Sequence, residues 1–290
     1  MTFAIDIRNL SLNYNDFTAL KDMSFHLEGG KIYGLLGRNG AGKTSLLSLL
    51  SSFRKPSDGI IKIAGEAPFE NANIMANVAF IYEKDYSDET EKVKGMLESA
   101  ERYRPNYDAE YADYLINIFK LPLEKPVNKL SKGMQSALNV TLGLACRTPV
   151  TIFDEAYLGM DAPTREIFYK ELLADQERHP RTIILSTHLV SEMDYLFDEV
   201  LIIDKGNLIL HEEYETLASK GASITGSANT VDDFVSIMTQ LSEQQLGGTK
   251  SVMVFGYLTE ENRREAKQKG LDVGPISLQD LFIHLTREED

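Results

Sequence analysis

GRNGAGKT, residues 37–44, is the stretch on which the reading of this chain turns. It fits the pattern G-x-x-x-x-G-K-[ST], and its surroundings fit as well. KIYGLLG before it is a short apolar run suited to a buried strand, and KTSLLSLLSSF after it has helical character. Strand, glycine loop and helix together make a cradle in which successive backbone N–H groups point at phosphate oxygens. Gly37, Arg38, Asn39, Gly40, Ala41, Gly42, Lys43, Thr44 and the adjoining Ser45 are therefore the expected phosphate-side residues. In this pattern the lysine, Lys43, reaches the β- and γ-phosphates and the hydroxyl of Thr44 ligates Mg²⁺. The competing reading is a plain glycine turn before a helix.

Two further stretches carry chemistry. VTIFDE at 150–155 is an apolar strand ending in two carboxylates. Asp154 suits the holding of Mg²⁺ through water, and Glu155 suits proton acceptance from an attacking water. Acid pairs after buried strands are common, so this stretch gains meaning only beside the phosphate loop. LSKGMQ at 130–135 precedes a helix, where Ser131 and the Gly133 N–H can meet a phosphate. Taken alone, Ser131 reads equally as an ordinary helix cap.

The order GRNGAGKT, LSKGMQ, VTIFDE, Asp161, then STH at 186–188 resembles the nucleotide-binding subunits of ABC transporters over roughly residues 1–217. The resemblance implies an α/β fold: an ABC-type P-loop NTPase core with an antiparallel β-subdomain and an inserted helical subdomain. It implies ATP and Mg²⁺ as cofactors, and ATP hydrolysis between two subunits that meet head to tail. Ser131, Lys132, Gly133 and Met134 then face the partner's phosphate loop, with Lys132 and Met134 departing from the usual LSGGQ. Ala137 departs too, standing where the family usually has a basic residue. By the same resemblance Tyr14 stacks on adenine, the alternative being a strand aromatic in the core. Asp161 lies in the loop linking the two active sites, and also reads as a helix cap before Pro163. His188 contacts the γ-phosphate. Glu83 stands where the family commonly has Gln, and it is expected to ligate the metal while adding negative charge beside the γ-phosphate.

The resemblance is to exporter-type members whose membrane spans lie in separate chains. It implies transmembrane permease subunits as partners, a homodimer or a heterodimer of ATPase subunits, and a cytoplasmic place on the inner face of the cell membrane. A soluble ABC ATPase outside transport is the alternative. Composition agrees with a globular protein: 43% hydrophobic and 26% charged over 290 residues. A net charge of −14 gives no basic stripe, so no nucleic-acid partner is expected. One cysteine, Cys146 in an apolar stretch, fits a reducing compartment. No run of 18 apolar residues occurs, and the N-terminus lacks the character of a signal peptide.

Around this centre, residues 3–13 read as a strand, and FTALKDMSFHLEGG as a short helix or turn leading into another strand. DGIIKIAG, NVAFIY and RTIILSTH read as strands, and EVLIIDKGNLIL as a hairpin. From about 84 to 148 the pattern is helical. The expected domains are 1–221 for the ATPase and 222–290 for a small α/β accessory domain. GASITGSANT is read as a linker between them, followed by a helix from Thr230 to Leu241, a strand KSVMVFG, a helix over 259–269 and a last helix capped by Ser277.

Overall fold

The computed structural model describes residues 3–287. Two compact units emerge: the chain up to His188 together with Tyr195–His211, and Leu189–Asp194 together with the chain from Glu212 onward.

The first unit opens with β1 (Ile5–Tyr14) and β2 (Phe17–Leu27), an antiparallel pair. FTALKDMSFHL is thus an 11-residue strand, not a helix or turn. Its alternation is hidden because the β1–β2 register shifts repeatedly, with Asn9 at φ 49 and Asp22 at φ 49. Such bulges put two residues opposite one and break the two-residue period. Next come β3 (Ile32–Leu36), buried at every position, α1 (Lys43–Leu50) and β4 (Asp58–Ile63). β4 joins β1 to complete a three-stranded sheet in the order β2-β1-β4.

A short helix α2 (Ala72–Met75) leads to β5 (Val78–Tyr82). The helical stretch follows as α3 (Val93–Tyr103), α4 (Ala109–Phe119) and α5 (Lys132–Ala145), with a 3-10 turn at Val127–Lys129. Asp108 caps α4, its Oδ1 accepting from Tyr111 N–H at 2.8 Å, and Lys120 closes it at φ 54. Then come β6 (Val150–Asp154), α6 (Ala162–Arg178), β7 (Thr182–Thr187), α7 (Val190–Met193), β8 (Glu199–Asp204) and β9 (Asn207–Glu213). The turn between β8 and β9 holds Lys205 at φ 46 and Gly206 at φ 82, the two positive φ values a tight hairpin requires.

These strands form a six-stranded sheet, β5-β6-β7-β3-β8-β9, with β5, β6, β7, β3 and β8 paired in parallel. Parallel pairing puts the ends of β3, β5, β6 and β7 on one edge. Ligands in open α/β sheets bind outside such carboxyl ends. The α/β expectation, with a separate antiparallel sheet and a helical insertion, is met.

The second unit contains α8 (Tyr214–Ser219), β10 (Gly221–Ser227), α9 (Ala228–Val235), β11 (Thr239–Leu246), β12 (Thr249–Phe255), α10 (Glu260–Gln268), β13 (Asp272–Pro275) and α11 (Leu278–Leu285). Its sheet runs β11-β12-β10-β13, all antiparallel, so β10-α9-β11-β12-α10-β13 is a ferredoxin-like βαββαβ arrangement. The expected linker GASITGSANT is an interior strand and the start of a helix. Its glycines serve packing: a Cβ at Gly221 would meet Ile276 at 2.1 Å, and one at Gly226 would meet Leu271 at 2.5 Å. The expected helix from Thr230 to Leu241 instead begins after Ser227 and ends at Val235. TQLSEQQL, polar but for Leu241 and Leu246, is the edge strand β11. The compact units divide at 211/212 rather than 221/222. Thr259 and Ser277 do cap the last two helices, Thr259 through a capping box with Asn262.

Candidate nucleotide site

The loop after β3 is shaped by close backbone approaches. Gly40 lies at φ 82 and Gly42 at φ 110, where a Cβ on Gly42 would sit 2.9 Å from the Ala19 carbonyl. Lys43 folds back over the loop, its Nζ donating to the carbonyls of Gly37 at 2.7 Å and Arg38 at 3.3 Å. The side chain is buried, and burial pushes the ammonium below the ordinary lysine value, against the opposing pull of Glu155 and Asp154. The resulting hollow, of about 420 Å³, is lined by residues 38–45 with Phe17, Ala19 and Glu155.

At the end of β6, Asp154 Oδ2 accepts from Thr44 Oγ1 at 2.9 Å. This joins the two oxygen groups expected on the metal side. Two adjoining hard oxygens form the small protein share of ligands that Mg²⁺ takes when phosphates and water supply the rest. Among the described residues, no group of three or more His, Cys, Asp or Glu gathers at one point. Glu155 follows at φ 53, a left-handed backbone that is uncommon outside glycine. Its N–H donates to Ser186 O at 3.3 Å, tying the turn to β7. Its Oε1 lies 2.8 Å from His188 Nδ1. The structure thus brings Lys43, Thr44, Asp154, Glu155 and His188 to one edge of one sheet.

The remaining expected residues are placed differently. Tyr14 packs against the core, with its hydroxyl 3.4 Å from Ser45 Oγ and the Arg54 guanidinium 4.5 Å above its ring. Phe17, which pairs with Tyr14 across the β1–β2 turn, is 63% exposed and lines the hollow. Sequence reading missed it. The signal was present: an aromatic three positions after the expected base platform. Ser131 caps α5, its Oγ accepting from Met134 N–H at 3.3 Å. Ser131, Gly133 and Met134 line a hollow of about 290 Å³ with Ala137, Gly159, Asp161 and others, and it shares no residue with the phosphate hollow. Asp161 caps α6, its Oδ1 accepting from Thr164 N–H at 3.1 Å, and these bonds hold its carboxyl below the usual range. Glu83 follows Tyr82, which pairs with Asp154 across the sheet. Its exposed carboxylate lies 3.8 Å from Lys132 Nζ.

Residues 20–158, which hold the cradle, Ser131–Gly133 and the Asp154–Glu155 turn, match the ABC transporter family model. The chain carries an ABC transporter ATP-binding domain. The ABC transporter ATP-binding protein YtrB of Bacillus subtilis (strain 168) is 24% identical over 282 residues, covering 96% of this chain and 97% of that one. The Nod factor export ATP-binding protein I of Burkholderia lata is 27% identical over 301 residues, covering 98% and 97%. Among solved structures, an ATP binding subunit of an ABC transporter superposes with a TM-score of 0.66 at 23% identity, covering 73% of this chain and 91% of that one. An Atm1-family ABC exporter with ATP bound gives 0.63 at 21%, covering 75% and 40%. These structural likenesses concern the fold. An ABC ATP-binding domain binds nucleotide, and the cradle at 37–44 is where this chain presents the means to do so.

Proposed function

We propose that this ABC subunit hydrolyses ATP to power export through separate membrane subunits, with two ATPase subunits closing around the nucleotide. One observation carries this reading: the phosphate cradle and the Ser131–Gly133 hollow are distinct surfaces of one chain. Each is half a site, and a second ATPase subunit, identical or different, supplies the missing half. Asp161 beside the second hollow would stand near the junction.

Mg²⁺, held by Thr44 and Asp154 with Glu83 as a further carboxylate, would neutralise charge developing on the phosphates. The chain's own groups supply position and proton chemistry. Lys43 neutralises the β- and γ-phosphates, and the backbone N–H groups of residues 38–44 hold them in place. Glu155 accepts a proton from the attacking water, and His188, 2.8 Å away, fixes the carboxylate's orientation and faces the γ-phosphate. Tyr14 and Phe17 offer the aromatic surfaces for the adenine.

An exposed aromatic cluster supports a membrane partner. Phe53 lies edge-on to Phe80 at 5.5 Å, and Phe80 stacks on Tyr82 at 4.9 Å, immediately before Glu83. Exposed clusters of this kind mark contact surfaces. No described helix is long and apolar enough to cross a membrane, so the spanning segments would belong to those partners and this subunit would sit on the cytoplasmic face. Export is favoured by the likeness to Nod factor export proteins.

The test is Glu155→Gln. Phosphate release should fall by about 10²–10⁴-fold, the usual share of a general base, while ATP stays bound. On a sizing column with ATP the variant should run as a dimer. A variant that hydrolyses normally, or stays monomeric with ATP bound, overturns the reading.

A further inference from the structure

We propose a second ligand site in this chain, at the opposite edge of the parallel sheet from the nucleotide cradle, that takes a phosphate-bearing small molecule. A hollow of about 630 Å³ lies there, walled by Arg147, Arg178, His179 and Arg181 with Phe3 and Pro149. Pro149 directly precedes β6 and Arg181 directly precedes β7. The Gly30 N–H, just before β3, donates to Thr182 Oγ1 at 3.3 Å. The hollow therefore sits at the beginnings of the strands whose ends carry Gly37, Asp154 and His188.

Its chemistry is set by arginines with donors to spare. Arg181 is 4% exposed, and its NH1 donates to Asp175 Oδ2 at 2.6 Å and to His179 O at 3.4 Å. Its Nε and NH2 have no hydrogen-bond partner among the described residues. Arg147 donates through NH1 to Asp108 Oδ2 at 2.6 Å and through NH2 to Asp175 Oδ1 at 3.1 Å, its guanidinium lies 4.9 Å from the centre of the Tyr111 ring, and its Nε has no hydrogen-bond partner among the described residues. Buried polar groups are nearly always hydrogen-bonded, and these three guanidinium nitrogens, closed off beneath the wall of the hollow, would gain an acceptor from a ligand or water that reached them through it. Two carboxylates, Asp108 and Asp175, balance Arg147 and Arg181. Arg178, whose Nε donates only to the Ala174 carbonyl, leaves this group with a positive surplus in a chain of net charge −14.

Guanidinium forks suit phosphate oxygens, and Arg is the residue that recognises them with paired N–H groups. The volume is that of a small-molecule site, and Phe3, Pro149 and Pro180 offer apolar contact to an organic portion. Free phosphate esters and a phospholipid headgroup share this chemistry.

Calorimetric titration of the full chain, with Mg²⁺-ADP saturating the cradle, tests the site. Glycerol 3-phosphate is the soluble probe, and vesicles containing phosphatidic acid are the lipid probe. One-site binding of either is expected, and the probe that binds names the source. Affinity should drop at least about tenfold in Arg178→Glu, a rim substitution that leaves the buried pairs intact. Arg181→Gln should abolish binding where the chain folds, and Arg178→Glu decides the matter where it does not. Absence of saturable binding by both probes, or binding indifferent to Arg178→Glu, overturns the proposal.

Discussion

Lys43 shows how a single residue serves binding at a cost to folding. Burial lowers its pKa in the folded chain below the ordinary lysine value, so folding penalises the charged form. The charged form therefore costs stability, a cost that falls away as pH rises through the folded value toward the ordinary lysine value. Lys43→Met should therefore raise the melting temperature of the nucleotide-free chain while abolishing ATP binding; a scanning-calorimetry melt and a binding titration check both. Glu155 has the same character, held at φ 53 where glycine would be easier. The base platform is decided at this scale too. Phe17 lies open in the cradle, whereas Tyr14 is already engaged by Ser45 and Arg54. Phe17→Ala is expected to weaken ATP binding by about 1–3 kcal/mol, the range for aromatic–base stacking, and Tyr14→Leu, which removes that ring while keeping an apolar side chain, to weaken it less. Nucleotide titrations of the two variants distinguish them.

At the level of elements, α5 is positioned by a contact that helix propensity alone would not reveal. A Cβ on Gly143 would come within 2.6 Å of the Phe153 ring and 2.8 Å of Ile81. Glycine there lets the helix that begins at Ser131 lie directly on β6 and β5. Gly143→Ala would favour an isolated helix by about 1 kcal/mol. Here it should destabilise the chain in urea, because a ring fixed between strand and helix has nowhere to move. The same physics separates what could be read from sequence and what could not. β3, β6 and β7 were legible because they are apolar runs buried on both faces and bounded by glycine, carboxylates or histidine. β2 was obscured by its bulges, and β10 by glycines chosen for close packing that look like linker residues. β11, on an edge and without an apolar face, carries almost no signal of its own. Lys43, Thr44, Asp154, Glu155 and His188 could be named as candidates because their spacing along the chain is itself a pattern, and the fold brings them to one edge of the sheet. Phe17 and the Glu83–Lys132 pair depend on which side chains meet after folding.

The whole molecule divides its energetics as it divides its cores. Leu46, Ile152 and Ile184 belong to the core beneath the nucleotide cradle, and Ile224, Phe234 and Val252 to that of the second unit. Phe234→Ala should lower the stability of the second unit by about 3–5 kcal/mol, as for other buried Phe truncations, with ATP affinity unaltered. Hydrogen exchange, read unit by unit alongside a nucleotide titration, would show whether the loss stays local. The second compact unit has its own sheet and helices, takes in Leu189–Asp194, and resumes at Glu212, about ten residues before the glycine-rich stretch.

Glu83 and Lys132 meet at 3.8 Å, both of them largely in water. Such a contact is weak and is screened within about 10 Å at 0.1 M salt. One of the two follows the strand beside Asp154; the other lies in the segment a second subunit is proposed to grip. Dissolved ions can therefore act on the link between these segments without touching either hollow. Raising ionic strength would loosen the Glu83–Lys132 contact, so the surrounding electrolyte would bear on how readily the two proposed half-sites come together.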